Sequence, residues 1–248
     1  MATRVASPEF IGRRREFETL RDVITKAAAG DTVVALVGGD AGMGKTRLVD
    51  EVEALARDGG TLVLEGGCVS IGSGEGLPFA PIVEALRRLP ALVAAGEIDG
   101  IHDMSELRSS ETADLGRLLP ELGAGSPDPD VFDRPAWVQA RIFEALLALL
   151  RTLGEQRPVL LVVEDMHWSD SSTRDVLSFL ARNAQGERLA VIGTYRTDEL
   201  NRRHPLRPWL SEMERLPRVL RVELARFGRT ELDPEDARQA FHLREPRP

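Results

Sequence analysis

Gly39-Asp40-Ala41-Gly42-Met43-Gly44-Lys45-Thr46 is the stretch whose reading decides the fold. Its spacing, G-x-x-x-x-G-K-[ST], is that of a phosphate-binding P-loop. Thr32 to Gly38 precedes it, a short β-branched apolar run that reads as a strand. Arg47 to Ala56 follows, with apolar residues at helical spacing. A strand on one side and a helix on the other is the context in which this motif holds phosphate. Each residue type has a physical task. The glycines permit positive φ and close approach of backbone to an anion. The loop N–H groups and the helix N-terminus supply positive potential. Lys45 reaches the β- and γ-phosphates, and the Thr46 hydroxyl ligates Mg²⁺. Lysine stands only at positions 26 and 45 among 32 basic residues, so a chance match is improbable.

Outward from the loop, strand-like and helix-like runs alternate. Phe17, Leu20, Val23 and Ile24 make a helical stripe before the first strand. Thr61 to Glu65 reads as a second strand and Pro81 to Leu89 as a helix with proline in its first turn. Residues 71–79 read as a plain glycine-containing connection rather than a second phosphate loop, since no Lys-Ser/Thr follows the glycines. Short helices are expected near 105–107 and 112–119, and a polar loop over 123–130. Trp137 to Leu153 forms an amphipathic helix, broken at Gly154 to Pro158. Val159 to Val163 is a continuous apolar run suited to a strand buried on both faces.

That strand ends in Glu164-Asp165. Acids at the carboxyl end of a central parallel strand stand where ligands bind in open α/β sheets. They are either a solvated turn or the oxygen ligands and water-polarising group that Mg²⁺ chemistry requires. Ser169 or Asp170 caps the helix from Ser172 to Arg182. His167 and Trp168 pack and orient the turn rather than ligate or catalyse. Leu189 to Arg196 is a fourth strand, and 219–224 a fifth. Read from position alone, Arg196 is either an ordinary surface arginine or a partner for a γ-phosphate.

Composition sets further bounds. At 248 residues, with 42% apolar and 29% charged residues, the chain suits one large α/β domain or two small ones. A net charge of −8 argues against a nucleic-acid-binding surface on this segment. The single cysteine, Cys68, excludes an internal disulfide and suits a reducing compartment; with no run of membrane-span length, a cytoplasmic location is expected. The fold class expected is α/β, a doubly wound parallel five-stranded P-loop NTPase sheet flanked by helices. Residues 1–9 read as a flexible lead-in, 10–226 as the P-loop core, and 227–248 as a truncated or disordered tail.

Taken together, Phe10-Ile11-Gly12-Arg13, Gly39 to Thr46, Pro78-Phe79-Ala80-Pro81, Val162 to Asp170, Gly193-Thr194-Tyr195-Arg196 and His204-Pro205-Leu206 resemble, in order, the nucleotide-binding core of the AAA+-like STAND ATPases. The likeness is to those at the front of large LuxR-type transcriptional regulators. It implies a sheet of order 5-1-4-3-2, with ATP and Mg²⁺ as cofactors. It implies phosphate binding by Gly39, Asp40, Ala41, Gly42, Met43, Gly44, Lys45, Thr46 and Arg47, with Ile11, Gly12 and Arg13 near the nucleotide. Glu164 and Asp165 would be the Walker B pair, Thr46 and Glu164 would hold Mg²⁺, partly through water, and Arg196 would be the sensor on strand four. Glu164 stands where the family usually has aspartate. Members continue into a helical lid, a winged helix and helical repeats. The last residues here do not resemble a lid, which implies a truncated product or a free-standing core. The activity implied is that of an ATP-binding switch with slow hydrolysis inside a signalling or transcriptional regulator. Its partners would be ATP or ADP and proteins met through further domains, with no membrane and no nucleic acid contacted by this segment. The alternative is a nucleotide-binding regulatory module that never hydrolyses and gates partner contacts.

Overall fold

The computed structural model describes residues 12–71, 75–76, 78–98, 100–109, 112–119 and 136–225. The expected lead-in, Phe10 and Ile11, the polar loop at 123–130 and the tail lie outside the described residues.

Five strands form one parallel sheet: β1 (Val33–Gly39), β2 (Leu62–Gly67), β3 (Val159–Glu164), β4 (Leu189–Arg196) and β5 (Val219–Glu223). Their spatial order is β2-β3-β4-β1-β5, the expected order read from the other edge. Strand residues alternate between two apolar layers, as the period-2 geometry of a strand demands. Val33, Ala35 and Val37 of β1, with Leu160 and Val162 of β3, pack on α1 (Arg14–Ala28) and α2 (Lys45–Asp58). Val34 and Leu36, with Leu161 and Val163, face the opposite way. There they meet α3 (Ala80–Leu86), α4 (Leu89–Ala94), α5 (Ala136–Gln156), α6 (Ser171–Asn183) and α7 (Leu206–Met213). Both faces are covered, which explains why β1, β3 and β4 read as unbroken apolar runs.

Two helix boundaries differ from expectation. The helix expected over Pro81 to Leu89 is two helices, because Pro90 has no N–H to continue the ladder and instead sits in the first turn of α4. α5 runs through Gly154 to Gln156. Packing of its buried Leu149, Leu150 and Leu153 outweighs the roughly 1 kcal/mol that one helical glycine costs. The short helices are present as 3₁₀ turns, Met104–Leu107 and Ala113–Arg117. The 71–79 connection contains a two-residue antiparallel ladder, Ser70–Ile71 with Glu75–Gly76. Among the described residues, no helix is long and apolar enough to cross a membrane.

Candidate nucleotide site

The site begins with register. β1 pairs with β4 so that Gly39 lies opposite Arg196, and β3 lies on the far side of β4. The last residues of three adjacent strands, with the P-loop, the double acid and the arginine, therefore share one edge of the sheet.

In the loop, Gly42 and Gly44 hold φ of 76° and 84°, conformations that side chains with a Cβ adopt only at a cost. An added Cβ at either would meet nothing within 4 Å, so backbone geometry alone calls for glycine. α2 starts at Lys45 on the glycine N-cap, with no side-chain cap and no acid in its first turn. Uncapped N–H groups at a helix N-terminus suit an anion. Lys45 is buried, and its Nζ donates to the carbonyls of Gly39 (2.7 Å) and Asp40 (2.9 Å). Burial lowers its pKa, as does the nearby charge of Arg196, while Asp198, Asp165 and Asp40 act the other way. The side chain of Arg47 pairs with Glu51 at 2.9 Å, which leaves its backbone N–H as its contribution to the loop.

Glu164 and Asp165 close β3. Burial pushes the Glu164 carboxyl up, reinforced by the charges of Asp165 and Glu65; a hydrogen bond from the Thr46 side chain opposes the shift. Thr46 and Glu164 thus stand together, two oxygen-bearing groups of the kind Mg²⁺ takes. Asp165 has φ of 54°, an αL turn that aims the chain away from the strand, and its N–H donates to Thr194 Oγ1 at 3.0 Å. Asp170 caps α6 by accepting from the Thr173 N–H at 3.0 Å.

Gly12 is half-buried with φ of 75°. Arg13 lies against the P-loop, and its guanidinium is engaged by the protein. It pairs with Glu16 at 3.2 Å and donates to the carbonyls of Met43 (3.4 Å) and Ala225. It therefore ties the start of α1 to the loop and to the chain leaving β5.

Three residues at the site, Thr197, Asp198 and Glu199, escaped sequence reasoning, and a fourth, His167, was read only as a packing residue. Thr197 Oγ1 donates to Asp40 Oδ1 at 2.7 Å, and Asp198 Oδ1 accepts from the Ala41 N–H at 3.1 Å. These two residues latch the connector after β4 to the first half of the P-loop. Glu199 Oε1 accepts from Arg196 Nη1 at 2.8 Å, and Arg196 Nε lies 4.0 Å from Asp165 Oδ1. His167 is buried between carboxylates, with Nδ1 3.8 Å from Asp165 and Nε2 3.4 Å from Glu199. Among the described residues neither ring nitrogen has a hydrogen-bond partner. Burial lowers its pKa against the pull of those acids. Expected only to pack and orient the turn, it stands between two of the acids at this end of the sheet. No signal in the sequence pointed to the other three.

Residues 9–192 match the family model described as the AAA ATPase domain. The chain belongs to the AAA ATPase domain family. As a family member it is a nucleotide-binding ATPase module with a P-loop. It is 28% identical over 181 residues to an uncharacterized protein of Rhizobium meliloti (strain 1021), covering 69% of this chain and 17% of that relative. The chain thus spans about a sixth of the relative's length. Solved structures similar to it include a Signal Transduction ATPase with Numerous Domains (STAND) protein with a tetratricopeptide repeat sensor from Pyrococcus horikoshii. That match has 16% identity and a TM-score of 0.44, covering 96% of this chain and 28% of that one. Another is Drosophila ORC bound to DNA, at 18% identity and TM-score 0.44, covering 92% and 46%.

Proposed function

We propose that this AAA ATPase domain is the ATP-binding switch of a larger signalling or transcriptional regulator of the STAND type, with slow Mg²⁺-dependent hydrolysis. The observation that carries the reading is the shared edge: Gly39 beside Arg196, and the Glu164-Asp165 turn one strand further on. The loop amides from Gly39 to Arg47 and the Lys45 ammonium would take the phosphates. Gly12 and Arg13, with Ile11 outside the described residues, would flank the nucleotide. Thr46 and Glu164 would hold Mg²⁺, partly through water, and the ion would neutralise phosphate charge. Asp165 would orient a water, and Arg196 would answer the terminal phosphate. The unit acting in this way is residues 10–226, in the cytoplasm, with ATP or ADP as ligand. Protein partners or self-association would come through domains outside this chain. The net charge of −8 speaks against direct nucleic-acid contact by this segment.

Slow turnover is expected on electrostatic grounds. Arg196 is engaged by Glu199, and an arginine supplied by a neighbour raises rates by about 10³–10⁵ in related hydrolases. The same pairing favours the second reading, a module that binds nucleotide and never cleaves it. The test is a titration with a fluorescent ATP analogue and Mg²⁺, followed by single-turnover hydrolysis. Lys45→Ala should lose binding about a hundredfold or more, on the scale of a buried charge-assisted contact. Asp165→Asn should retain binding and lose cleavage. An intact, folded chain that binds no nucleotide refutes the proposal, and one that binds without any cleavage selects the second reading.

A further inference from the structure

Glu199 is shared between two cationic or potentially cationic groups. One carboxylate oxygen accepts from Arg196 Nη1 at 2.8 Å. The other lies 3.4 Å from Nε2 of His167, which is buried and has no hydrogen-bond partner among the described residues. Arg196 itself is held loosely enough to move: its side chain is 39% exposed, and its second carboxylate neighbour, Asp165, is 4.0 Å away. Its backbone is fixed, because it pairs with Gly39 at the end of β4. So the arginine's backbone is anchored beside the P-loop while the charge of its guanidinium is answered by a residue three positions further on.

We infer that Glu199 sets the discrimination between ATP and ADP, by competing with the terminal phosphate for Arg196. This rests on the nucleotide-site reading above and deepens it. A ligand that needs only the loop amides and Lys45 leaves the Arg196–Glu199 pair intact. A ligand whose additional phosphate engages Arg196 must weaken that pair. The cost is confined to the ligand that draws on Arg196, so Glu199 lowers ATP affinity without touching ADP affinity. His167 limits the cost, since the carboxylate that Arg196 leaves already has an unpartnered imidazole nitrogen beside it.

The experiment measures ATP and ADP affinities by displacement of a fluorescent nucleotide, with Mg²⁺. It compares the full chain, Glu199→Gln, Arg196→Gln and the double variant, each checked by thermal melting. Glutamine keeps the shape and a hydrogen-bond acceptor while removing the charge; Glu199→Ala is the second variant. In Glu199→Gln the ratio of ATP to ADP affinity should rise about twofold to fivefold, the range that a half-exposed ion pair allows. The gain should vanish in the Arg196→Gln background. An unchanged ratio overturns the inference, and so does an equal gain when Arg196 is absent. Equal weakening of both nucleotides together with a lower melting temperature also overturns it, since that marks Glu199 as a structural prop. A parent chain that binds neither nucleotide removes the nucleotide-site reading and this inference together. A parent that binds both while the variants change nothing removes this inference alone.

Discussion

Thr197→Val removes one hydroxyl and changes little else. That hydroxyl donates to Asp40 Oδ1 at 2.7 Å, and the backbone N–H of Thr197 donates to Gly39 O at 3.3 Å. The side-chain bond is therefore one of the ties that holds the P-loop's first variable residue against the connector after β4. A hydrogen bond to a charged acceptor contributes about 1.5–3 kcal/mol when buried. Thr197 and Asp40 are both half-buried, and water can replace part of the lost bond, so about 1 kcal/mol is the appropriate size. If the loop must recover that order when phosphate binds, affinity for an ATP analogue falls about fivefold, since 1.4 kcal/mol is tenfold. Global stability should fall by no more than the same amount, about 2–4 °C in melting temperature for a domain of this size. The assay pairs a nucleotide titration with thermal and urea unfolding, in a cycle with Asp40→Ala. The two substitutions should be strongly non-additive, because they remove the same bond. Unchanged affinity, or losses that add in full, would refute the claim that this bond orders the loop.

Other substitutions probe the scaffold beneath the site. Gly66→Ala should be severe: its Cβ would lie 1.9 Å from the Pro81 carbonyl oxygen and 2.7 Å from its carbon, backbone atoms that cannot swing aside. The expected cost is about 3 kcal/mol, or roughly 6–12 °C in melting temperature. Gly67→Ala is the control, since its nearest contact is Glu84 Oε2 at 3.9 Å, and a melting temperature for Gly66→Ala equal to that control would defeat the argument. Cys68 is buried, and burial pushes its thiol up to about 12. At pH 8 it stays protonated, so maleimide should label the native chain slowly and the urea-unfolded chain fast. Equal rates in the two states would place the thiol in solvent.

What the sequence revealed and what it hid divide along one physical line. The P-loop is local: its glycines, lysine and threonine lie within eight consecutive positions, and its flanking strand and helix carry their own periodicity. β3 was equally legible, since burial on both faces leaves a run of valine and leucine that ends abruptly in Glu164-Asp165. Strand order was not legible from the residues. It depends on pairings such as Gly39 with Arg196, between segments remote in the chain, and it came only through resemblance to a family. Arg196 is the intermediate case. Its residue type and its place at a strand end were visible, but in an arginine-rich chain only the register distinguishes it from a surface arginine. Thr197, Asp198 and Glu199 were opaque. Polar residues after a strand look like any turn, and two of their partners, Asp40 and Ala41, are 157 positions away. The same holds for His167, whose sequence neighbours explain its contact with Asp165 but not the one with Glu199. A phosphate cradle is thus written in consecutive residues because backbone geometry makes it. The groups that meet the loop from elsewhere do so by hydrogen bonds and ion pairs across the sheet end, so their positions follow only once the sheet has brought β1, β3 and β4 to one edge.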